Sequence, residues 1–178
     1  MAVLDTYDSG ADADPTPKRP VSLLGGGGRK RVLFVSSSGG HLSQLLQLRP
    51  WWARHERLWV TFDLPDARSK LEDETMIPAF HPTTRNLRNM LRNTPLAVRT
   101  IRGFRPDVIV SNGAGVAVPF FVVARILGVP TVYLEVYDRI DSRTMTGRLC
   151  APLATEFLVQ WPEQQALYDG SALVGPVY

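Results

Sequence analysis

Five short, uninterrupted apolar runs constrain this chain more than any other feature. Residues 30–36 (KRVLFVS), 57–62 (RLWVTF), 107–111 (DVIVS), 131–136 (TVYLEV) and 156–160 (EFLVQ) are too short for helices and too apolar to leave one face in water. Runs of this kind are strands covered on both faces. Between them the pattern turns helical. Leu42, Leu45, Leu46 and Leu48 recur after Gly39-Gly40, and helices are expected at 66–74, 86–104, 116–127, near 144–154 and after Pro162. Weaker strands are expected near 172–174 and at 75–80, where Pro78 points to an edge position. Pro95 is expected to kink or break the 86–104 helix. Strand followed by helix throughout demands right-handed crossovers. The expected fold is therefore α/β, a doubly wound, mostly parallel, Rossmann-like sheet.

The length, 178 residues, suits one domain. Residues 1–29 stand apart, because Asp5, Asp8, Asp12 and Asp14 precede Pro15, Pro17, Pro20 and a glycine run at 25–28 without hydrophobic periodicity. They read as a flexible leader to a domain at 30–178, and not as a signal peptide. Residues 116–134 are apolar except for Arg125, but Pro119, Gly128 and Pro130 divide them into helix, turn and strand rather than a membrane span. The single cysteine, Cys150, excludes an internal disulfide and points to a reducing compartment. With three scattered histidines and no metal-binding spacing, neither a metal nor a cofactor is expected. The net charge of +3 is too small to name nucleic acid as a partner.

In open α/β sheets ligands bind beyond the carboxyl ends of the strands. Two loops leave such ends with small residues: Ser36-Ser37-Ser38-Gly39-Gly40-His41 and Ser111-Asn112-Gly113-Ala114-Gly115. Either the glycines only make tight turns, or their N–H groups and the following helix ends hold a phosphate. Neither loop has the dinucleotide fingerprint or the P-loop ending, which argues against a nicotinamide enzyme and an NTPase. His41 begins a helix facing the crevice, where the helix end is expected to keep its imidazole neutral and able to take a proton. Glu135 closes an apolar strand and needs either a partner, for which Arg139 is available, or a use. His55 and His81 fall in loops and receive no role.

Between residues 85 and 105 there are six arginines and no acid. A helical period sets Arg85, Arg88, Arg92 and Arg99 on one side and Leu87, Met90, Val98, Ile101 and Phe104 on the other. The basic side is either a solvated outer face or a site for anionic lipid. Aromatics are not interleaved with these arginines, so single-stranded nucleic acid is not expected.

Taken in order, VSSSGGHLSQLLQL, WVTF, HPTTRN, PDVIVSNGAGVAVPF, VYLE and TGRL…ATEFLVQWPE resemble the PssD family of exopolysaccharide and capsule glycosyltransferases. They are also similar to the subunit that anchors the second N-acetylglucosaminyltransferase of dolichol-linked oligosaccharide assembly. The resemblance covers Arg31 to the C-terminus. It implies the acceptor-side half of a split GT-B glycosyltransferase, related to the N-terminal domain of the peptidoglycan transferase MurG. A separate donor-binding subunit would then bring the UDP-sugar, and a polyprenyl-diphosphate-linked sugar would be the acceptor. On this reading His41 and Glu135 are catalytic. Ser38, Gly39, Gly40, Arg85, Asn112, Gly113, Gly115 and Arg139 bind substrate. Arg88, Arg92 and Arg99 face an anionic membrane surface at the inner, cytoplasmic side, and Gln160, Trp161 and Tyr178 meet the partner. Glu135-Val136 departs from the Glu-Ser of many relatives, which leaves the acceptor open. The alternatives are a scaffold that recruits the transferase without contributing a reacting group, and a nucleotide-binding oxidoreductase.

Overall fold

A computed structural model describes residues 27–83 and 86–177. Nearly all of the expected leader, together with Arg85 and Tyr178, therefore lies outside the described residues. The order is β1 (Arg31–Val35), α1 (Gly40–Gln47), α2 (Arg49–Trp52), β2 (Glu56–Phe62), α3 (Pro65–Lys70), β3 (Met76–Ala79), α4 (Leu87–Phe104), β4 (Val108–Ser111), α5 (Ala117–Leu127), β5 (Thr131–Leu134), α6 (Met145–Cys150), β6 (Glu156–Val159), α7 (Pro162–Leu167) and β7 (Ala172–Leu173). The strands form one sheet in the order β3-β2-β1-β4-β5-β6-β7, and every neighbouring pair is parallel. Pro78, in β3, sits on an edge, where its missing N–H breaks no ladder.

Alternation along the strands divides the core in two. Val32, Phe34, Trp59, Val108 and Val110 pack under Leu42, Leu45, Trp51 and Trp52 of α1 and α2; Phe34 stacks on Trp59 with ring centroids 4.2 Å apart. On the opposite face Leu33, Val35, Val60 and Ile109 meet Leu96, Ala97 and Ile101 of α4 and Phe120, Phe121 and Ala124 of α5. Each of the larger aliphatic and phenyl side chains contributes about 1.5–3 kcal/mol by leaving water. Beyond β7, Val174 and Val177 cover the half of the first face that α1 does not reach. The backbone of Val177 is bonded on both sides. Its N–H donates to Gln160 Oε1 at 2.7 Å, and its carbonyl accepts from Gln44 Nε2 at 3.4 Å.

Two expectations for α4 need attention. Of the kink or break expected at Pro95, the break does not occur, and the helix continues through it. Proline removes one hydrogen bond, but Leu91, whose carbonyl loses that partner, is 59% exposed and within reach of water. Burial of Leu96, Ala97 and Ile101 beyond the proline keeps the turn on the sheet. Leu87, assigned to the buried side, is 63% exposed. The buried stripe is instead Asn89, Asn93, Leu96, Ala97, Thr100 and Ile101. Its first two members are polar because they bind backbone. Asn93 accepts from Phe80 N–H at 2.9 Å and donates to Phe80 O at 3.0 Å, so α4 completes the end of the edge strand.

Candidate functional site at the strand crossover

The strand order reverses between β1 and β4, which opens a crevice at their carboxyl ends. The two glycine loops meet there. His41 Nδ1 lies 3.0 Å from the carbonyl oxygen of Asn112. A carbonyl only accepts, so Nδ1 carries the proton and Nε2 is left as the acceptor nitrogen. Asn112 returns the contact, donating from Nδ2 to His41 O at 2.7 Å and to Gln44 Oε1 at 3.1 Å. The imidazole is held below its ordinary value of 6.5, chiefly by burial, against the opposing bonds to Asn112 and the charge of Asp138. The direction is the one expected; the leading cause is desolvation rather than the helix end.

Gly113 has φ +115°, and a Cβ there would come within 2.8 Å of Tyr133 Oη and 3.5 Å of His41 Cε1. Glycine allows both this backbone conformation and the close approach of the Tyr133 hydroxyl. A cavity of about 260 Å³ opens beside them, lined by His41, Tyr133, Asp138, Arg139, Thr144 and Met145 among others.

Glu135, just beyond β5, forms the back of this wall and is fully enclosed. Its carboxylate accepts from Val136 N–H at 3.0 Å, from Thr144 Oγ1 at 3.1 Å and from the Tyr168 hydroxyl. Tyr168 in turn accepts from Thr144 N–H at 3.1 Å, and Thr144 Oγ1 caps α6 by accepting from Gly147 N–H at 2.9 Å. A Cβ at Gly147 would collide with both the Glu135 carboxylate and the Tyr168 hydroxyl, so a glycine lets α6 close onto the strand end. Burial raises the Glu135 carboxyl above the usual range, although the three donors pull the other way. Among the described residues Glu135 has no ion pair with Arg139, whose side chain is exposed. The pairing weighed from the sequence is therefore not formed, and hydroxyls do the work.

Several expected site residues are placed differently. Gly39 N–H, expected to face a substrate phosphate, donates to Asp66 Oδ2 at 2.7 Å, so a carboxylate from α3 already caps that helix end. Gln160, expected at a partner surface, is 1% exposed. Its Nε2 donates to Glu135 O at 2.7 Å because a buried amide must be satisfied internally. Trp161 is half-buried and donates from Nε1 to Tyr137 O at 2.7 Å. Gln164 Nε2 donates to Val136 O at 2.6 Å and to Arg139 O at 3.0 Å. The segment QWPEQ thus grips the backbone of the loop that carries Asp138 and Arg139. Ser38 and Gly115 lie in the two loops, Gly115 tight against Thr83. Arg88, Arg92 and Arg99 are exposed on α4 and do not line the cavity. His55, given no role, is 2% exposed and accepts from Lys30 N–H through Nδ1 at 3.2 Å. Sequence reasoning missed Gln44, Tyr133, Thr144, Gln164 and Tyr168. Thr144 alone had a local signal, a threonine at the start of a helical pattern.

Residues 80–177, more than half of the chain, match the family model described as oligosaccharide biosynthesis protein Alg14 like. The chain belongs to the Alg14 family. It is 26% identical over 183 residues to the UDP-N-acetylglucosamine transferase subunit ALG14 of Mus musculus, covering 83% of this chain and 82% of that one. The human protein of the same name is 26% identical over 197 residues, 92% of this chain and 86% of that one. Among solved structures, Acinetobacter baumannii MurG superimposes with TM-score 0.63 at 19% identity over 75% of this chain. The UDP-GlcNAc 2-epimerase of Neisseria meningitidis gives TM-score 0.61 at 12% identity over 76%. This chain spans 42% of each of these two longer proteins. This Alg14-family sheet thus has a Rossmann-like fold resembling one half of the GT-B architecture. No described helix is long and apolar enough to cross a membrane.

Proposed function

We propose that this chain is the acceptor-side subunit of a two-component glycosyltransferase. A donor-binding partner brings the UDP-sugar, of hexosyl or N-acetylglucosaminyl type, and the acceptor is a polyprenyl-diphosphate-linked sugar in exopolysaccharide or capsule assembly. The observation that carries the reading is His41, whose Nδ1–H is committed to Asn112 O, leaving Nε2 as a base beside an open cavity. In this mechanism Nε2 takes the proton of the acceptor hydroxyl as that oxygen attacks the sugar carbon with inversion, and UDP departs on the partner's side. Arg139 and the loop of Gly113 and Gly115 position the acceptor, with Ser38, Gly40 and Arg85 toward its diphosphate. Glu135 holds the wall through Thr144 and Tyr168 rather than meeting the reacting atoms. The partner completes the crevice, and the arginine face of α4 keeps the subunit peripheral on the cytoplasmic side of the membrane. The names of the curated relatives, subunits of a UDP-N-acetylglucosamine transferase, support both the partner and the donor class.

The test is reconstitution with the donor-binding subunit and a UDP-sugar on a lipid-diphosphate acceptor. Transfer is expected only when both chains are present. His41→Ala is expected to lower kcat on the order of a hundredfold while leaving the complex intact. Unchanged turnover of that variant would instead support a scaffold without a reacting group.

A further inference from the structure

On the side of α4 turned away from the core, Leu87 and Leu91 are 63% and 59% exposed, and Phe80, at the end of the edge strand, is 40% exposed. Arg88, Arg92, Arg99 and Arg102 share this exposed surface, and among the described residues none of them has a carboxylate partner. The Arg92 guanidinium lies 4.1 Å from the centre of the Phe80 ring. Between β3 and α4 a groove of about 560 Å³ runs past Pro78, Phe80, Pro95 and Leu96, with Arg92 and Arg99 also lining it. Large apolar side chains beside unpaired arginines match the boundary between acyl chains and phosphates. Residues 80–83 join this surface to the crevice, since Thr83 packs against Gly115.

We propose that the Phe80 and α4 face docks on an anionic phospholipid bilayer. Leu87 and Leu91 enter the acyl region, Arg88, Arg92 and Arg99 sit on lipid phosphates, and the groove between β3 and α4 receives the apolar part of one lipid. The inference rests on the peripheral placement proposed above. It adds that insertion by apolar side chains, and not charge alone, holds the subunit, so that residues 80–83 bring the crevice next to the bilayer surface.

The experiment is flotation of the full chain with phosphatidylcholine vesicles, with and without phosphatidylglycerol, at low and high salt. Binding is expected to the anionic vesicles and to persist in part at high salt. The double variant Leu87→Ser/Leu91→Ser is expected to lower partition by at least about tenfold, since two large apolar contacts are lost. Both positions are exposed, so an unchanged melting temperature verifies the fold. A fluorophore on Leu91→Cys is expected to shift to the blue with anionic vesicles; Cys150 is fully buried and does not compete for label. Undiminished flotation of the double variant, no spectral shift at position 91, or binding abolished by salt would each overturn the proposal. Sugar transfer by the reconstituted pair to a water-soluble short-chain acceptor separates the two readings. That activity persists in the double variant if only membrane docking is wrong or lost, and is absent from the parent if the function itself is wrong.

Discussion

The protonation of His41 is decided by a neighbour's carbonyl. Asn112 O fixes the proton on Nδ1, and burial disfavours the imidazolium more than that bond favours it, so the neutral base persists to lower pH than in a free histidine. Transfer by the pair is expected to rise with pH through a value below 6.5, measured as the acid limb of kcat/KM. The same shift acts on stability: a depressed imidazole value favours the fold above 6.5, and this contribution fades as the pH falls below it. Glu135 has the opposite sign. Its raised carboxyl value opposes folding at neutral pH, and the opposition is relieved as acid protonates it. Glu135→Gln is therefore expected to keep or raise the melting temperature at pH 7 and to flatten its pH dependence above the ordinary glutamate range. Glu135→Ala, which leaves the Val136 N–H and two hydroxyls without their acceptor, is expected to lose about 1–3 kcal/mol for each group that water cannot reach. His41 and Glu135 were legible because each stands out from its local pattern. Tyr168 was not, since its hydroxyl reaches a carboxylate 33 residues earlier in the chain.

Among the elements, α4 shows where periodicity informs and where it misleads. A helical period placed Arg88, Arg92 and Arg99 correctly on the outside, but hydrophobicity placed Leu87 inside and gave no inside place to Asn89 and Asn93. Amides were chosen there because β3 ends at an edge and Phe80 needs partners for both backbone groups. Asn93→Ala is expected to destabilise the fold by about 1–3 kcal/mol, read by denaturant unfolding, because Phe80 N–H loses its acceptor. Asn93→Asp, which sets a fully buried carboxylate against the carbonyl oxygens of Phe80 and Asn89, is expected to lose at least as much. Strand existence and order along the chain were readable throughout, since fully covered strands are continuous apolar runs. Helix ends were less so: α3 and α6 begin where expected but stop at Lys70 and Cys150, short of the ends of their patterns.

For the whole molecule, alternation of strand and helix was enough to give the parallel sheet, and the sheet gave the crevice. The sequence pattern could not say which polar residues would close that crevice from behind, because they converge from β5, α6, β6 and α7. It also offered no sign that Gln44 and Gln160, one on each side, would both reach for the backbone of Val177. Ending the chain after Gly170 is expected to strip the cover supplied by Val174 and Val177, about 1.5–3 kcal/mol for each, and to leave both glutamines short of a partner. Against a typical total of about 5–15 kcal/mol, such a variant should be largely unfolded at 37 °C, by circular dichroism or by proteolysis. The last turn of backbone acts as a drawstring. Gln44 leads through Asn112 to His41, and Gln160 leads to the carbonyl of Glu135. The Val177 backbone is thus bonded, through one glutamine on each side, to both walls of the crevice.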